Sequence, residues 1–209
     1  MGFGATTRFV AGRVAIAFAL ALALFALGAL APVDQPAGAA RGADARRTAA
    51  AATRCRGQNL IPTGHNVSKV RRATLCLVNR ARRRHGLRPL RPNRKLRRAA
   101  QRHSMNMVRE QFFAHVDPEG RTEVDRIIAA GFAKPNQPWA LGENIAWGTG
   151  RLATPANIVR AWMASPGHRA NILRRDYKRI GIGIAPNAPL RTAASRSATY
   201  TTDFGAILG

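Results

Sequence analysis

The chain has 209 residues, which is enough for one domain of ordinary size and a short appendage but excludes two full domains. Hydrophobic residues make up 46% of the chain, so a packed core is expected and wholesale disorder is excluded. The formal net charge of +24 points either to an anionic partner or to arginine-rich helix faces that are simply solvated.

Residues 1–39 have the pattern of a secretory signal peptide. Arg8 and Arg13 precede an uninterrupted apolar run from Val14 to Val33, and Ala37-Gly38-Ala39 offers the small residues of a cleavage site. The apolar run is also long enough to span a bilayer, so an uncleaved membrane anchor is the alternative. In either case the rest of the chain leaves the cytoplasm, and we predict a secreted protein that can remain associated with the cell envelope.

Residues 40–54 are Ala, Arg, Gly and Asp without periodicity and are predicted to form a flexible tether, followed by a single domain over residues 55–209. The chain has two cysteines, Cys55 and Cys76, both in the exported part. An even count in an oxidising compartment predicts a disulfide between them, with free thiols or a two-ligand metal site as alternatives.

Helical periodicity dominates the first half of the domain. Apolar residues from Val67 to Ala81 follow helical spacing, and Gly86 ends this first helix. Asn93 is the predicted N-cap of a second helix that runs to about Phe113. A short third helix is predicted for residues 122–130.

The second half mixes strands with helices. Residues 143–148 are predicted to form a strand or an extended run. Thr154-Pro155 and Ser165-Pro166 each give the N-cap and first position of a helix. Residues 179–185 and 198–204 are predicted to pair as an antiparallel hairpin across a long polar turn. Four helices and about three strands in segregated order predict an α+β domain rather than a doubly wound sheet.

Ten Arg and one Lys lie between Arg80 and Arg102, with no acid among them. This density is typical of proteins that bind nucleic acid or an anionic surface. Export argues against nucleic acid, and no interleaved aromatic residues mark a single-strand groove. We therefore predict salt-sensitive binding to anionic cell-wall polymers or lipids, with membrane contact either peripheral or through an uncleaved leader; arginines that only solvate helix faces are the alternative.

Three scattered residues form the candidate site. His115 and His168 lie at loop–helix boundaries beside Pro and Gly, and Glu143 is the only acid in an apolar segment. A carboxylate in such a segment must be paired, hydrogen-bonded or neutral. Two imidazoles and one carboxylate, the latter as ligand or orienting group, can hold a divalent metal. His103, on the apolar stripe of the second helix, is predicted to be a hydrogen-bonded core histidine.

Five motifs in this order resemble those of the CAP superfamily (cysteine-rich secretory proteins, antigen 5 and pathogenesis-related 1 proteins), and most closely its bacterial SCP-like extracellular branch. They are Arg102-His103-Ser104-x-x-Met107, Phe112-Phe113-Ala114-His115-x-x-Pro118, Gly142-Glu143-Asn144-Ile145-Ala146, Trp162-Met163-x-Ser165-Pro166-Gly167-His168-Arg169-x-Asn171-Ile172-Leu173 and Ile180-Gly181-Ile182-Gly183.

The resemblance implies an α-β-α sandwich, with an antiparallel sheet of about three strands between helical layers. It also implies a cleft with two histidines that often bind a divalent metal, and His115 and His168 match them, while Glu143 matches the first acid of the cleft. Many eukaryotic members carry a second Glu after the Trp-containing helix, and residues 162–165 have no acid here. The missing carboxylate weakens both tight metal binding and acid–base pairing.

These observations favour a non-enzymatic extracellular binding module for cell-envelope or lipid ligands. A divalent metal such as zinc is expected to bind weakly at His115 and His168. The alternative is a metal-assisted hydrolase of peptide or cell-wall material, in which His115, Glu143 and His168 would carry the chemistry and Glu143 would be the general base.

Overall fold

The computed structural model describes residues 54–192 and 196–208. The predicted signal peptide (1–39) and nearly all of the predicted tether (40–54) lie outside the described residues, as do residues 193–195 of the long turn. No helix within the described ranges is long and apolar enough to cross a membrane.

Five α-helices and four strands follow one another in the described part of the chain. The helices are α1 (Val67–Arg84), α2 (Arg94–Arg109), α3 (Glu123–Ala129), α4 (Pro155–Ala164) and α5 (Pro166–Leu173). The strands are β1 (Arg91–Pro92), β2 (Trp139–Thr149), β3 (Arg179–Pro186) and β4 (Ser197–Ile207), and a 3-10 turn (Gly150–Ala153) follows β2. The α+β class is as predicted.

The sheet has the order β1-β3-β4-β2 and is mixed rather than purely antiparallel. The long strands β2 and β4 are antiparallel, as are β3 and β4, which form the predicted hairpin. The two-residue strand β1 is the addition to the predicted three, and it pairs parallel with β3. Arg91 N–H donates to the carbonyl of Lys178 at 3.0 Å and Asn93 N–H to that of Ile180 at 2.9 Å, because the extended segment around Pro92 runs beside the start of β3.

The start of α2 follows the local sequence signal, whereas its end does not. Asn93 caps α2 as predicted, since its side-chain oxygen accepts from the N–H groups of Lys95 and Leu96 at 2.8 and 3.1 Å. The helix ends at Arg109 rather than near Phe113, because Gln111 adopts a positive φ of 54° that an α-helix cannot contain.

Helices cover both faces of the sheet, and β3 shows how. A Cβ on Gly181 would collide with the backbone of Leu96, and one on Gly183 with the backbone of Ala100, so α2 lies directly on this face. The alternate residues of β3 point the opposite way, and Ile182 packs there in the large core with Trp162 of α4. The resulting arrangement is the α-β-α sandwich that the resemblance implied.

A disulfide between Cys55 and Cys76 confirms the predicted pairing. The two residues are 21 positions apart and their Cα atoms are separated by 5.6 Å. The bond joins the segment before α1 to the middle of that helix. A loop of this size stabilises a fold by roughly 3 kcal/mol on the chain-entropy account.

Most of the basic stretch is on the surface, as predicted, but Arg82 is a correction. The exposed arginines between Arg80 and Arg102 are Arg83, Arg84, Arg88, Arg91, Arg94, Arg97, Arg98 and Arg102. Arg82 is only 1% exposed. Its guanidinium donates to the carbonyls of Arg88, Ile172 and Arg174 at 2.9, 2.7 and 2.9 Å. The fork of five N–H donors lets one arginine satisfy several chain segments at once, which sequence spacing does not reveal.

Candidate functional site

Two buried carboxyl groups face each other across strands β2 and β4. Glu143 of β2 and Asp203 of β4 are direct partners in the antiparallel register. Glu143 is 5% exposed and Asp203 is 1% exposed. Two acids so placed cannot both be charged without strong repulsion, so their surroundings must divide the protons between them.

Hydrogen-bond donors engage both oxygens of Glu143. His115 Nδ1 donates to Oε1 at 2.8 Å, and Arg126 Nη2, from α3, donates to Oε2 at 2.9 Å. Burial alone would raise the pKa of Glu143, but the hydrogen bond from His115 and the charge of Arg126 together hold this pKa below its usual range. Glu143 is therefore the ionised member of the pair.

Asp203 is the protonated member. Burial raises its pKa well above the usual range, and the negative charge of Glu143 raises it further. The carboxyl group of Asp203 is hydrogen-bonded to Glu143, which the proton on Asp203 makes possible. Among the described residues the Oδ1 atom of Asp203 has no hydrogen-bond partner. Leaving a buried oxygen without a partner costs less free energy when the carboxyl group is neutral than when it is charged.

His115 presents its free edge to solvent. Its side chain is 48% exposed, and the hydrogen bond with Glu143 raises its pKa although partial burial opposes the shift. Because Nδ1 donates to the carboxylate, the neutral imidazole carries its lone pair on Nε2. This nitrogen can accept a hydrogen bond or bind a metal.

His168 lies in the first turn of α5, where its Nδ1 is 2.9 Å from Ser165 Oγ. Burial lowers its pKa, and the charge on His115 lowers it further, so the two imidazoles are electrostatically coupled. Its carbonyl accepts from Asn144 Nδ2 at 3.0 Å, and Asn171 Nδ2 donates to the carbonyl of Glu143 at 3.1 Å. These amides hold α5 against β2 beside Glu143. That both histidines share one ion stays a prediction.

Ser165 does not act as the predicted helix cap. It occupies the N-cap position of α5, but its side chain makes no capping hydrogen bond to the helix backbone. The imidazole of His168 takes the hydroxyl instead, because a ring nitrogen in the first turn reaches it as readily as the backbone N–H groups do.

His103 is the hydrogen-bonded core histidine that the apolar stripe predicted. It is fully buried, and its Nε2 lies 3.0 Å from the carbonyl of Ala114 and 3.9 Å from Glu143 Oε1. Burial lowers its pKa more than the nearby carboxylate raises it, so the neutral ring is favoured.

The sequence profile of the cysteine-rich secretory protein family, abbreviated CAP, matches residues 75–202. The chain belongs to the CAP family. The matched span contains every residue of the site except Asp203, which follows it by one position.

Two curated proteins of Bacillus subtilis (strain 168) are similar to this CAP chain. The uncharacterized protein YkwD is 32% identical over 127 residues, which are 61% of this chain and 47% of YkwD. The uncharacterized membrane protein YlbC is 34% identical over 110 residues, which are 53% of this chain and 30% of YlbC. The similarity therefore spans less than half of each relative.

Two solved structures share the fold. An extracellular protein containing an SCP domain from Bacillus anthracis aligns with a TM-score of 0.51 and 24% identity, over 66% of this chain and 42% of that protein. An outer surface protein from Borrelia burgdorferi aligns with a TM-score of 0.52 and 20% identity, over 71% of this chain and 97% of the Borrelia protein. At these identities the likeness establishes the CAP fold alone.

The donor atoms of the CAP cleft fit a metal only in part. Within the described residues, no group of three or more His, Cys, Asp or Glu side chains is placed to hold an ion. Glu143 fits as an orienting partner rather than as a ligand, because its side chain is only 1% exposed and its oxygens already accept from His115 and Arg126. The remaining candidate donors are the Nε2 atoms of His115 and His168, and two imidazoles without a carboxylate make a weak zinc site.

Asp203 and Arg126 are the site residues that the sequence patterns did not single out. Asp203 is the only acid in the β-rich segment 198–204, so the argument that selected Glu143 applies to it equally. Arg126 lies next to Ile127 on the buried face of α3. A basic side chain on a buried helix face indicates a buried anionic partner, because charged groups are seldom buried unpaired. The pairing of β2 with β4 brings the two lone acids, Glu143 and Asp203, together.

Proposed function

We propose that this CAP domain is a non-enzymatic extracellular binding module for anionic components of the cell envelope. The observation that carries the proposal is the exposure of eight arginines between Arg83 and Arg102, which lie on α1, on the segment after it and on α2. Such a surface attracts phosphate and carboxylate groups over a distance of about 8 Å at physiological ionic strength.

The charge arrangement in the cleft leaves neither carboxyl group available as a general base. A general base must have a free lone pair close to the reacting proton. Glu143 is buried and held by hydrogen bonds from His115 and Arg126, and Asp203 is buried and neutral. The exposed imidazole of His115 is left as a hydrogen-bonding group that Glu143 fixes in orientation, as suits recognition of a ligand.

Attachment to envelope material is expected to depend strongly on salt. The purified domain should bind isolated cell walls or vesicles containing phosphatidylglycerol at low ionic strength and dissociate as salt rises, because counterions compete for the arginines. Sedimentation across a salt series measures this, with phosphatidylcholine vesicles as the uncharged control. Absence of binding at low salt, or binding that ignores salt, would mean that the arginines only solvate the helices.

A metal-assisted hydrolase acting on peptide or cell-wall material is the second candidate, and the His115–Glu143 pair favours it. A carboxylate that binds Nδ1 of a histidine makes Nε2 a better metal ligand. A bound zinc ion would supply Lewis acidity and lower the pKa of a bound water. For His168 to bind the metal through Nε2 as well, the proton of its neutral ring must be on Nδ1, which then donates to Ser165 Oγ. A serine nucleophile would need the proton on Nε2 instead, so that Nδ1 could accept the hydroxyl proton of Ser165.

Zinc binding is expected to be weak and to require both histidines. Calorimetric titration of the wild type should show binding that the double variant His115→Ala, His168→Ala lacks, because two imidazoles are the remaining donors. The matched control is the double variant His65→Ala, His85→Ala, which removes two exposed histidines elsewhere. Equal titration curves for all three proteins would contradict the site, and turnover of peptides or wall fragments that depends on zinc would contradict the non-enzymatic proposal.

A further inference from the structure

A concave pocket of about 680 Å³ opens where the end of α1, β1 and the start of β3 meet. Five exposed cationic side chains line this basic pocket: Arg88, Arg91, Arg175, Lys178 and Arg179. No acidic residue is among the described residues that line it. Three of the five lie outside the basic stretch of the sequence, so the fold creates this concentration of charge by joining two distant segments.

Buried groups fix the shape of the basic pocket. Arg82 and Tyr177 also line it, and both are 2% exposed or less. Arg82 ties together the segments that carry Arg88 and Arg174 by donating to both carbonyls. The ring of Tyr177 stacks on Phe204 at 5.5 Å between centroids, and its hydroxyl donates to the carbonyl of Leu141 at 2.7 Å. The pocket is therefore formed before any ligand arrives, which lowers the entropy lost on binding.

The cations of the basic pocket are placed against one another rather than against acids. Arg91 and Arg179 are direct partners in the parallel register of β1 and β3, and like charges in this relation destabilise a sheet. Within the described residues no carboxylate pairs with any of the five cations. The nearby Asp176 accepts instead from Arg174 Nε at 3.3 Å. An anionic ligand would relieve this repulsion.

We propose that the basic pocket binds a phosphodiester-linked anionic polymer through several successive phosphates. Guanidinium groups match phosphate oxygens in paired hydrogen bonds, and four of the five exposed cations are arginines. A concave site suits an extended polymer chain better than the flat face of a bilayer. Tyr177 is the only aromatic residue among the described residues that line the pocket, and it is buried and stacked within the core, so these residues offer no platform for nucleobases.

This inference rests on the proposed function, and one set of variants tests the two separately. The pocket variant is Arg175→Gln, Lys178→Gln, Arg179→Gln. The control variant is Arg98→Gln, Arg102→Gln, Arg160→Gln, which removes the same charge from exposed positions that do not line the basic pocket. Each protein is titrated with synthetic poly(glycerol phosphate), with polyglutamate of similar length and with phosphatidylglycerol vesicles, across a salt series. Thermal melts check that both variants remain folded.

The pocket variant is expected to bind poly(glycerol phosphate) at least about tenfold more weakly than the control variant. The affinity falls as salt rises, and each phosphate contact contributes about 0.7 to the steepness of log affinity against log salt for a flexible chain. The pocket variant loses three cations, so its salt dependence should be less steep by roughly 2. Polyglutamate tests the choice of phosphate, because guanidinium groups also pair with carboxylates: its binding should change about equally in the two variants, and a selective loss in the pocket variant as large as that of poly(glycerol phosphate) would overturn the phosphodiester assignment.

Equal weakening of poly(glycerol phosphate) binding in both variants would overturn the pocket and leave the proposed function standing. Selective loss of vesicle binding in the pocket variant, with polymer binding retained, would assign the pocket to a membrane instead. A wild-type protein that binds none of the three probes at low salt would overturn the proposed function and the pocket together.

Discussion

Replacing Arg82 with Ala is expected to lower the free energy of unfolding by about 3–5 kcal/mol, since each buried acceptor that loses its donor costs about 1–3 kcal/mol. The buried guanidinium satisfies the carbonyls of Arg88, Ile172 and Arg174, which belong to two segments far apart in the chain. Truncation leaves these acceptors without a donor and opens a cavity under the basic pocket. Urea unfolding monitored by tryptophan fluorescence measures the loss.

The matched control is Arg83→Ala, at the next position of the same helix. Arg83 is exposed, so its replacement should change stability by no more than about 0.5 kcal/mol. Arg82→Lys should fall between the two, because an ammonium group has three donors where the guanidinium has five. If Arg82→Ala and Arg83→Ala unfold at the same urea concentration, the guanidinium does not hold these segments together.

Replacing Glu143 with Gln is expected to cost about 3–5 kcal/mol at pH 7, because removing one partner of a buried ion pair leaves the other charge uncompensated. Arg126 is only 9% exposed and would lose the anion on which its burial depends. His115 would lose the charged hydrogen-bond partner that raises its pKa. The NMR titration of the His115 ring should therefore move to lower pH in the variant, which a general loss of packing would not produce.

The sign of the pH dependence follows from the direction of each pKa. The pKa of Glu143 is held below its usual range, so its contribution is present above the ordinary value of about 4.3 and is lost as pH falls through the folded-state pKa. The stability gap between wild type and Glu143→Gln should close in acid. The raised pKa of His115 acts in the opposite direction: its contribution is complete below about 6.5 and is lost as pH rises through the folded-state pKa.

Asp203→Asn is the control for the acid pair. The amide keeps a donor for Glu143 and carries no proton to lose. The raised pKa of Asp203 makes its contribution largest below about 3.9 and progressively smaller as pH rises. The variant should therefore be at least as stable as the wild type at pH 7. A loss as large as that of Glu143→Gln would show that Asp203 is ionised and that the proton has been assigned to the wrong carboxyl group.

Local signals predicted much of the fold. Helical spacing located α1, the cap at Asn93 located the start of α2, and β-rich segments located the hairpin of β3 and β4. Strand β1 was not predicted, because two residues are too few to show a periodicity. Its pairing also depends on the loop after α1 lying beside β3, which is a tertiary contact. The α-β-α layering came from the family resemblance, since spacing alone does not say which face of a strand a helix covers.

The candidate site was predictable one residue at a time but not as a network. Glu143 stood out as a lone acid in an apolar strand, and His115 as an imidazole at a loop boundary. That Asp203 lies opposite Glu143 depends on the register of β2 and β4, which no local pattern encodes. Whether the Ser165 side chain caps α5 or bonds His168 likewise depends on its rotamer and not on its residue type.

The central position of β4 also orders events during folding. Strands β2 and β3 do not touch each other, and β4, which follows both in the chain, joins them. Non-local strand pairing of this kind is slow, because a long loop must close before any contact is gained. Glu143 cannot meet Asp203, nor the cleft take shape, until β4 is inserted between its neighbours. The contact between Glu143 and Asp203 therefore requires the completed sheet, and its presence in a sample reports that β4 has paired with β2.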